Sequence, residues 1–211
     1  MPLQAAHSVG TAEVENVTAQ DESRAISHIH GLVLRAQAGD VSAFEQLMVL
    51  YQRRVLGTAT RILRRREDAR DAAQEVFLRL YRHLPRIRAE AFRTWLYRVT
   101  VNVCSDMAKK SEKYPSLSLE ENAATLASDG PGAGQIEAGM VRTERLRVLH
   151  DALRALPFKE RSALVLRDVE GLSTEDTARA LGSSATTVRS QISSARVKVR
   201  AYCERAMGLA K

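Results

Sequence analysis

The chain has 211 residues, 45% hydrophobic but only 5% aromatic, enough for one or two small domains with cores of Leu, Val, Ile and Ala. A net charge of +7 and a pI near 9.8 suit a polyanionic partner, while two isolated cysteines, Cys104 and Cys203, with no histidine at ligand spacing exclude a zinc module. No apolar run approaches the roughly 18 residues that span a bilayer, and the N-terminus lacks the basic-then-apolar form of a secretion signal, so the protein is expected to stay in the cytoplasm.

Residues 1–28 mix Ala, Ser, Thr, Glu and Val without periodicity and predict a disordered tail. A short helix follows from about Ile29, with Leu32, Val33 and Ala36 on one face and Gly39 as its C-cap. Asp40 is placed to cap a long helix whose apolar positions Phe44, Leu47, Met48, Tyr51, Val55 and Ala59 keep helical spacing to about Leu63. A third helix runs from about Asp68 to His83 and stops at Pro85, and a loop over 86–91 leads to a fourth from about Phe92 to Lys110. Residues 29–110 thus form one helical domain. Pro115 and the run Ser128-Asp-Gly-Pro-Gly-Ala-Gly134 mark a flexible linker over 111–140. A second helical domain, 141–206, resumes with Val141, Leu146, Leu149 and Leu153, breaks at Pro157, and closes a further helix at Gly171. The fold class expected is all-α, two small domains.

The charge is not spread evenly. Residues 53–110 carry 15 Lys/Arg against 6 Asp/Glu and residues 145–211 carry 13 against 7, whereas the segments 1–31 and 111–144 are acidic. Two basic bodies flank an acidic connector, a pattern that solvated helix faces alone would also produce.

Near the C-terminus, Ser173 and Asp176 form a capping box. Ala178 is small where a second helix must cross closely, Gly182 stands where the turn favours a left-handed backbone, and Val188 faces the angle between the helices. Those offsets are what a helix-turn-helix requires, although an ordinary helical hairpin can share them. The second helix presents Thr186, Thr187, Arg189, Ser190, Ser193 and Arg196 outward, hydroxyls and guanidiniums suited to phosphates and base edges in the major groove. In the third helix, Asp71, Gln74, Glu75 and Leu78 recur three and four apart as a polar stripe with an aliphatic edge. Such a stripe is either a solvated face or a docking surface for a partner helix. No phosphate-binding glycine loop, no H-E-x-x-H and no convincing triad is present, so an enzyme is not expected, and neither is a cofactor or metal.

The strings DARDAAQEVFLRLYRHL, FRTWLYRVTVNVCSDMAKK and LRALPFKERSALVLRDVEGLSTEDTARALGSSATTVRSQISSAR together resemble the sigma-70 family, and their spacing its extracytoplasmic-function (ECF) group. The resemblance covers roughly 32–110 and 143–203. It implies a sigma factor that binds core RNA polymerase, directs it to promoters and helps open the DNA. It also implies that Asp68, Asp71, Gln74, Glu75, Phe77 and Leu78 face the β′ clamp helices, with further contact to the β subunit. Arg88, Phe92, Arg93, Arg98, Asn102, Asp106 and Lys109 would meet the −10 element, the loop before Trp95 holding a flipped-out base. Trp95 itself fits a core position better. The helix carrying Arg189 would read the −35 element, and the resemblance implies an anti-sigma factor as a further partner. Gln191 and Ser194 stand where the family usually has further basic residues, and the N-terminal tail is not a family feature.

Linker length bears on this reading. Two elements about 25 base pairs apart lie roughly 85 Å apart on duplex. About 32 linker residues reach roughly 105–115 Å extended but average only about 30 Å as coil, so core polymerase would have to hold the domains apart. The alternative in another class is a stand-alone helix-turn-helix regulator, which accounts for the C-terminal motif but not for the stripe on the third helix.

Overall fold

A computed structural model describes residues 24–113 and 136–208, and all regular structure among them is helical. Eight α-helices are formed: α1 (24–37), α2 (Val41–Ile62), α3 (Arg66–His83), α4 (Phe92–Lys113), α5 (Ile136–Ala155), α6 (Phe158–Leu164), α7 (Thr174–Leu181) and α8 (Ala185–Ala206). Two 3₁₀ turns, Leu84–Arg86 and Ala89–Ala91, join α3 to α4, and a π-helical turn, Val165–Val169, prolongs α6. The expected tail over 1–23 and most of the expected linker lie outside the described residues. Helix α1 is already formed at residue 24, earlier than apolar periodicity indicates, because its first turns bury nothing and Ile26 stays 65% exposed.

Local chemistry sets the boundaries. Gly39, at φ +94°, makes a left-handed turn that a side chain would strain. Asp40 then caps α2, its carboxylate accepting from the Ala43 amide at 3.1 Å and pairing with Arg35 at 2.6 Å. The Ala43 amide first, and Arg35 second, hold this carboxyl below its ordinary range. Helix α2 buries Ala43, Leu47, Tyr51, Val55, Ala59 and Ile62, one face at three- and four-residue spacing. Helix α3 answers with Ala69, Ala72, Val76 and Leu80, whose small N-terminal members let it approach closely. From α4, Phe92, Leu96, Tyr97, Val103 and Cys104 close the core, with Phe92 edge-on to Tyr51 at 5.4 Å between ring centroids. Burial pushes the Cys104 thiol up to about 12, so it is an apolar packing group without thiolate chemistry.

The second body has its own small core of Leu153, Leu156, Ala163, Leu164, Ala178, Val188, Ile192 and Ala195. Ser173 caps α7, accepting from the Asp176 amide at 2.9 Å, and Ser184 caps α8, accepting from Thr187 at 3.1 Å. Gly182 sits at φ +60° between them, and Val188 is fully buried in their angle. The helix-turn-helix geometry expected from the sequence is therefore present.

The two bodies are not independent in this structure. Val165, Leu166, Leu172 and Ala180 of the second join the core of the first, and α4 packs directly on α7. Burying an aliphatic side chain of this size contributes about 1.5–3 kcal/mol, so the apolar part of this seam alone is substantial. Its polar part is centred on Glu170, only 8% exposed. The Thr58 hydroxyl donates to one carboxylate oxygen at 2.7 Å and the Tyr97 hydroxyl to the other at 2.6 Å, while Arg93 donates to the Glu170 backbone carbonyl. The π-helical turn makes this possible: the Glu170 amide bonds to the Val165 carbonyl five residues back, and the widened turn aims the side chain at α2 and α4.

Candidate functional site

Three surfaces carry the residues singled out by sequence. On α3, Ala69, Ala72, Val76 and Leu80 face the core, so residues three and four apart on the other side must face solvent. Asp71 and Gln74 are exposed, Leu78 is 45% exposed, and Asp68 and Glu75 are half-buried. Glu75 accepts from Arg79 one turn on at 2.7 Å, an exposed pair that contributes little to stability. Phe77 is partly buried and packs on the core, so it supports the stripe from beneath rather than extending it. Tyr81, one turn beyond Leu78, is 70% exposed with its ring edge-on to Phe44 at 5.6 Å. Its place at i+3 from Leu78 was a signal in the sequence that the expected stripe did not include.

On α4, Arg98, Asn102, Asp106 and Lys109 form an exposed row, opposite the buried Leu96, Val103 and Cys104. Arg88 is exposed in the loop before it, 4.0 Å from Glu90. Phe92 requires correction. Its ring is fully buried against Tyr51, because the first turn of α4 sits over the core, and it offers nothing to a base at the surface. Arg93 is likewise committed in this arrangement, to the carbonyl of Glu170. Trp95 packs partly buried against the core, as its spacing indicated.

The loop over 84–91 is held by a residue the sequence did not reveal. Gln37 Nε2 donates to the Leu84 carbonyl at 2.8 Å and the Ile87 carbonyl at 2.6 Å, tying the end of α1 to both ends of the first 3₁₀ turn. No local pattern distinguishes this glutamine, since its partners lie 47 and 50 residues away. Gln37→Leu is expected to leave two carbonyls short of a donor and to cost about 1–2 kcal/mol. Thermal unfolding measures the loss, and an unchanged Tm would show that the loop is held otherwise.

On α8, Thr186, Thr187, Arg189, Ser190, Ser193 and Arg196 are all exposed. Two of the cations are oriented by carboxylates: Arg189 pairs with Glu175 at 3.2 Å, and Arg196 forms a two-pronged pair with Asp168 at 2.6 and 2.8 Å. The Asp168 bonds raise Arg196 further above its ordinary value. Arg167 and Arg200 join Arg189 and Arg196 around an open groove of about 870 Å³. Arg200 follows Arg196 by one turn and was legible as a continuation of that face, whereas Arg167 comes from the π turn and only the fold brings it there. Gln191 and Ser194, the two departures from the family pattern, are half-buried, and Ser194 donates to Glu160 at 3.3 Å on α6. They line the packed side of α8, so the absence of charge there removes nothing from its outer face.

Asp176 connects this motif to α4. Burial pushes its carboxyl up, but hydrogen bonds from Ser173, Thr94 and Arg179 outweigh that and hold it below the ordinary 3.8. Thr94 donates at 2.7 Å across the seam. A depressed carboxylate stabilises the folded state fully above its unfolded value, so this contribution fades as pH falls below about 3.8.

Among the described residues no cluster of His, Cys, Asp and Glu could hold a metal ion, and no helix is long and apolar enough to cross a membrane. The sigma-70 region 2 family model matches residues 47–114, spanning the α3 stripe and the α4 row, and the sigma-70 region 4 model matches 146–199, spanning the helix-turn-helix. The RNA polymerase sigma-H factor of Pseudomonas aeruginosa is 36% identical over 170 residues, covering 78% of this chain and 88% of that protein. The ECF RNA polymerase sigma-E factor of Haemophilus influenzae is 36% identical over the same length, covering 78% and 89%. Among solved structures, the sigma factor RpoE of Bartonella quintana, in complex with the anti-sigma factor NepR, shares the fold with a TM-score of 0.61 and 20% identity over 80% of this chain and 98% of that one. With both regions matched in order and full-length relatives above 30% identity, the chain belongs to the ECF group of the sigma-70 family, non-enzymatic initiation factors that bind core RNA polymerase and direct it to promoter DNA.

Proposed function

We propose that the work of the sigma factor is divided among the three surfaces, acting in the cytoplasm where polymerase works. The stripe of Asp68, Asp71, Gln74, Glu75 and Leu78 receives the β′ clamp helices, with Tyr81 extending its apolar edge. Arg88 and the row Arg98, Asn102, Asp106 and Lys109 meet the −10 element, and Arg93 joins them once freed from Glu170. The outer face of α8, with Arg167 and Arg200 added, meets the −35 element. The observation that carries this division is that the greater part of each set lies on the outward side of one helix, opposite the residues that bury that helix. An anti-sigma factor is a further partner in this reading, as the Bartonella quintana complex has one.

The seam adds a constraint. With α4 packed on α7, the helix-turn-helix is held directly against the body that carries the −10 row, whereas the promoter elements lie roughly 85 Å apart on duplex. A docked chain can serve one element at a time, so engaging both requires the bodies to separate, and binding to core polymerase supplies the energy.

Run-off transcription with core enzyme tests the reading: the chain is expected to start transcripts only from templates carrying both elements. Tight, core-independent binding to duplex without association to core polymerase would overturn it in favour of a free-standing regulator. Arg189→Ala is expected to lower −35-dependent transcription by the equivalent of about 1–3 kcal/mol, roughly five- to 150-fold. Equal activity of both proteins across −35 variants would remove Arg189 from the contact.

A further inference from the structure

Where the end of α2 meets α5 and α6, three arginines come together, and among the described residues no carboxylate is paired with them. Arg161, on α6, is 4% exposed, and its Nε and Nη1 have no hydrogen-bond partner. Arg154, on α5, leaves its Nε buried and unpartnered, while its Nη2 donates to the backbone carbonyl of Arg64, just beyond α2. His150, one turn before Arg154, has a buried Nδ1 without a partner. Burial first, then the fields of Arg64 and Arg154, pull the Arg161 guanidinium below its ordinary value. Burial and Arg154 likewise lower His150, and Asp151 is the carboxylate whose field opposes them there.

A buried cation normally has a paired anion or several hydrogen bonds, because desolvating it otherwise costs several kcal/mol. Here donors, positive charge and burial coincide, and acceptors are missing. The unused groups match a tetrahedral oxyanion, which offers several acceptor oxygens and one or two negative charges to guanidinium N–H groups.

We propose that the seam formed by Arg64, Arg154 and Arg161 binds a small phosphate-class oxyanion. Arg64 belongs to the N-terminal body and the other two to the C-terminal body, so the complete site exists only when the bodies are docked. By linkage, an anion held there stabilises the docked arrangement and opposes the separation that spanning a promoter requires. With Arg161 almost wholly enclosed, a free anion or a terminal phosphate ester can reach it, and a duplex cannot while the bodies stay together.

The test is calorimetric titration of the full chain at constant ionic strength, with inorganic phosphate in one arm and adenosine monophosphate in the other. Saturable binding at one site is expected, with Arg64→Met and Arg154→Met each weakening it about tenfold. Both positions are less enclosed than Arg161, so the variants are chosen to fold, and circular dichroism verifies that they do. Tighter binding of the nucleotide assigns a phosphate ester as ligand, and equal or weaker binding assigns free phosphate; either supports the site. Absence of saturation in both arms, or affinities unchanged in both variants, overturns it. Saturation by a short duplex but by neither small anion also overturns it, leaving the cluster as a nucleic-acid contact of the opened chain. No readout depends on transcription, so the outcome is separate from the assignment of the three functional surfaces.

Discussion

Replacing Gln74 and Glu75 together with lysine is expected to abolish association with core RNA polymerase, and with it transcription, while leaving the fold intact. Neither side chain enters the core: Gln74 is exposed, and Glu75 is tied only to Arg79, itself on the surface of α3. Losing that pair costs well under about 1 kcal/mol, so Tm should hardly move. At an interface the same change acts differently. It reverses one charge, adds another, and sets both beside Arg79 on a surface proposed to meet a helical partner. Like charges facing one another across an interface cost several kcal/mol, a loss of at least about a hundredfold in affinity. Co-elution with core enzyme on gel filtration measures it. Retained co-elution would move the polymerase contact away from this stripe.

Glu170→Ala is expected to loosen the seam between the two bodies. It removes the acceptor for both the Thr58 and Tyr97 hydroxyls, which are fully buried. Burial first, and the Glu170 bond second, hold the Tyr97 phenol above its ordinary value, so it stays protonated and needs an acceptor. Each buried hydroxyl left unsatisfied costs about 1–3 kcal/mol, together enough to shift a docking equilibrium by two or more orders of magnitude. Small-angle scattering should show a larger radius of gyration, and the opened chain should bind −35 duplex more readily without polymerase. Glu170→Gln, which keeps one acceptor oxygen, should fall between. Unchanged compactness in the alanine variant would mean that Val165, Leu166 and Leu172 hold the seam without the polar cluster.

The contrast between these two residues shows how far the sequence could be read. Glu75 belongs to a helix whose periodicity is strong, so its face followed from counting three and four residues along the chain. Glu170 stands four residues after the apolar run Leu164-Val165-Leu166, in a place that reads as an exposed helix end. It is buried because a π-helical turn re-aims it at Thr58 and Tyr97, 112 and 73 residues away. Phe92 failed for a related reason. Its place at the start of α4, just after the loop, was read correctly, but the direction of its ring was set by Tyr51 on another helix.

What the sequence determined by itself is therefore the local part: caps at Asp40 and Ser173, the left-handed turn at Gly182 and the outer face of α8. Those features depend on side chains within about one or two helical turns of each other, whose geometry is fixed by the helix itself. The tertiary structure decided what depends on contacts across the chain. It joined the two bodies through a common core, committed Arg93 to Glu170, brought Arg167 to the groove of α8, and gathered Arg64, Arg154 and Arg161 where no carboxylate among the described residues pairs with them. Packing between distant segments carries no short-range signature, so the docking of the two bodies was visible only in the tertiary structure.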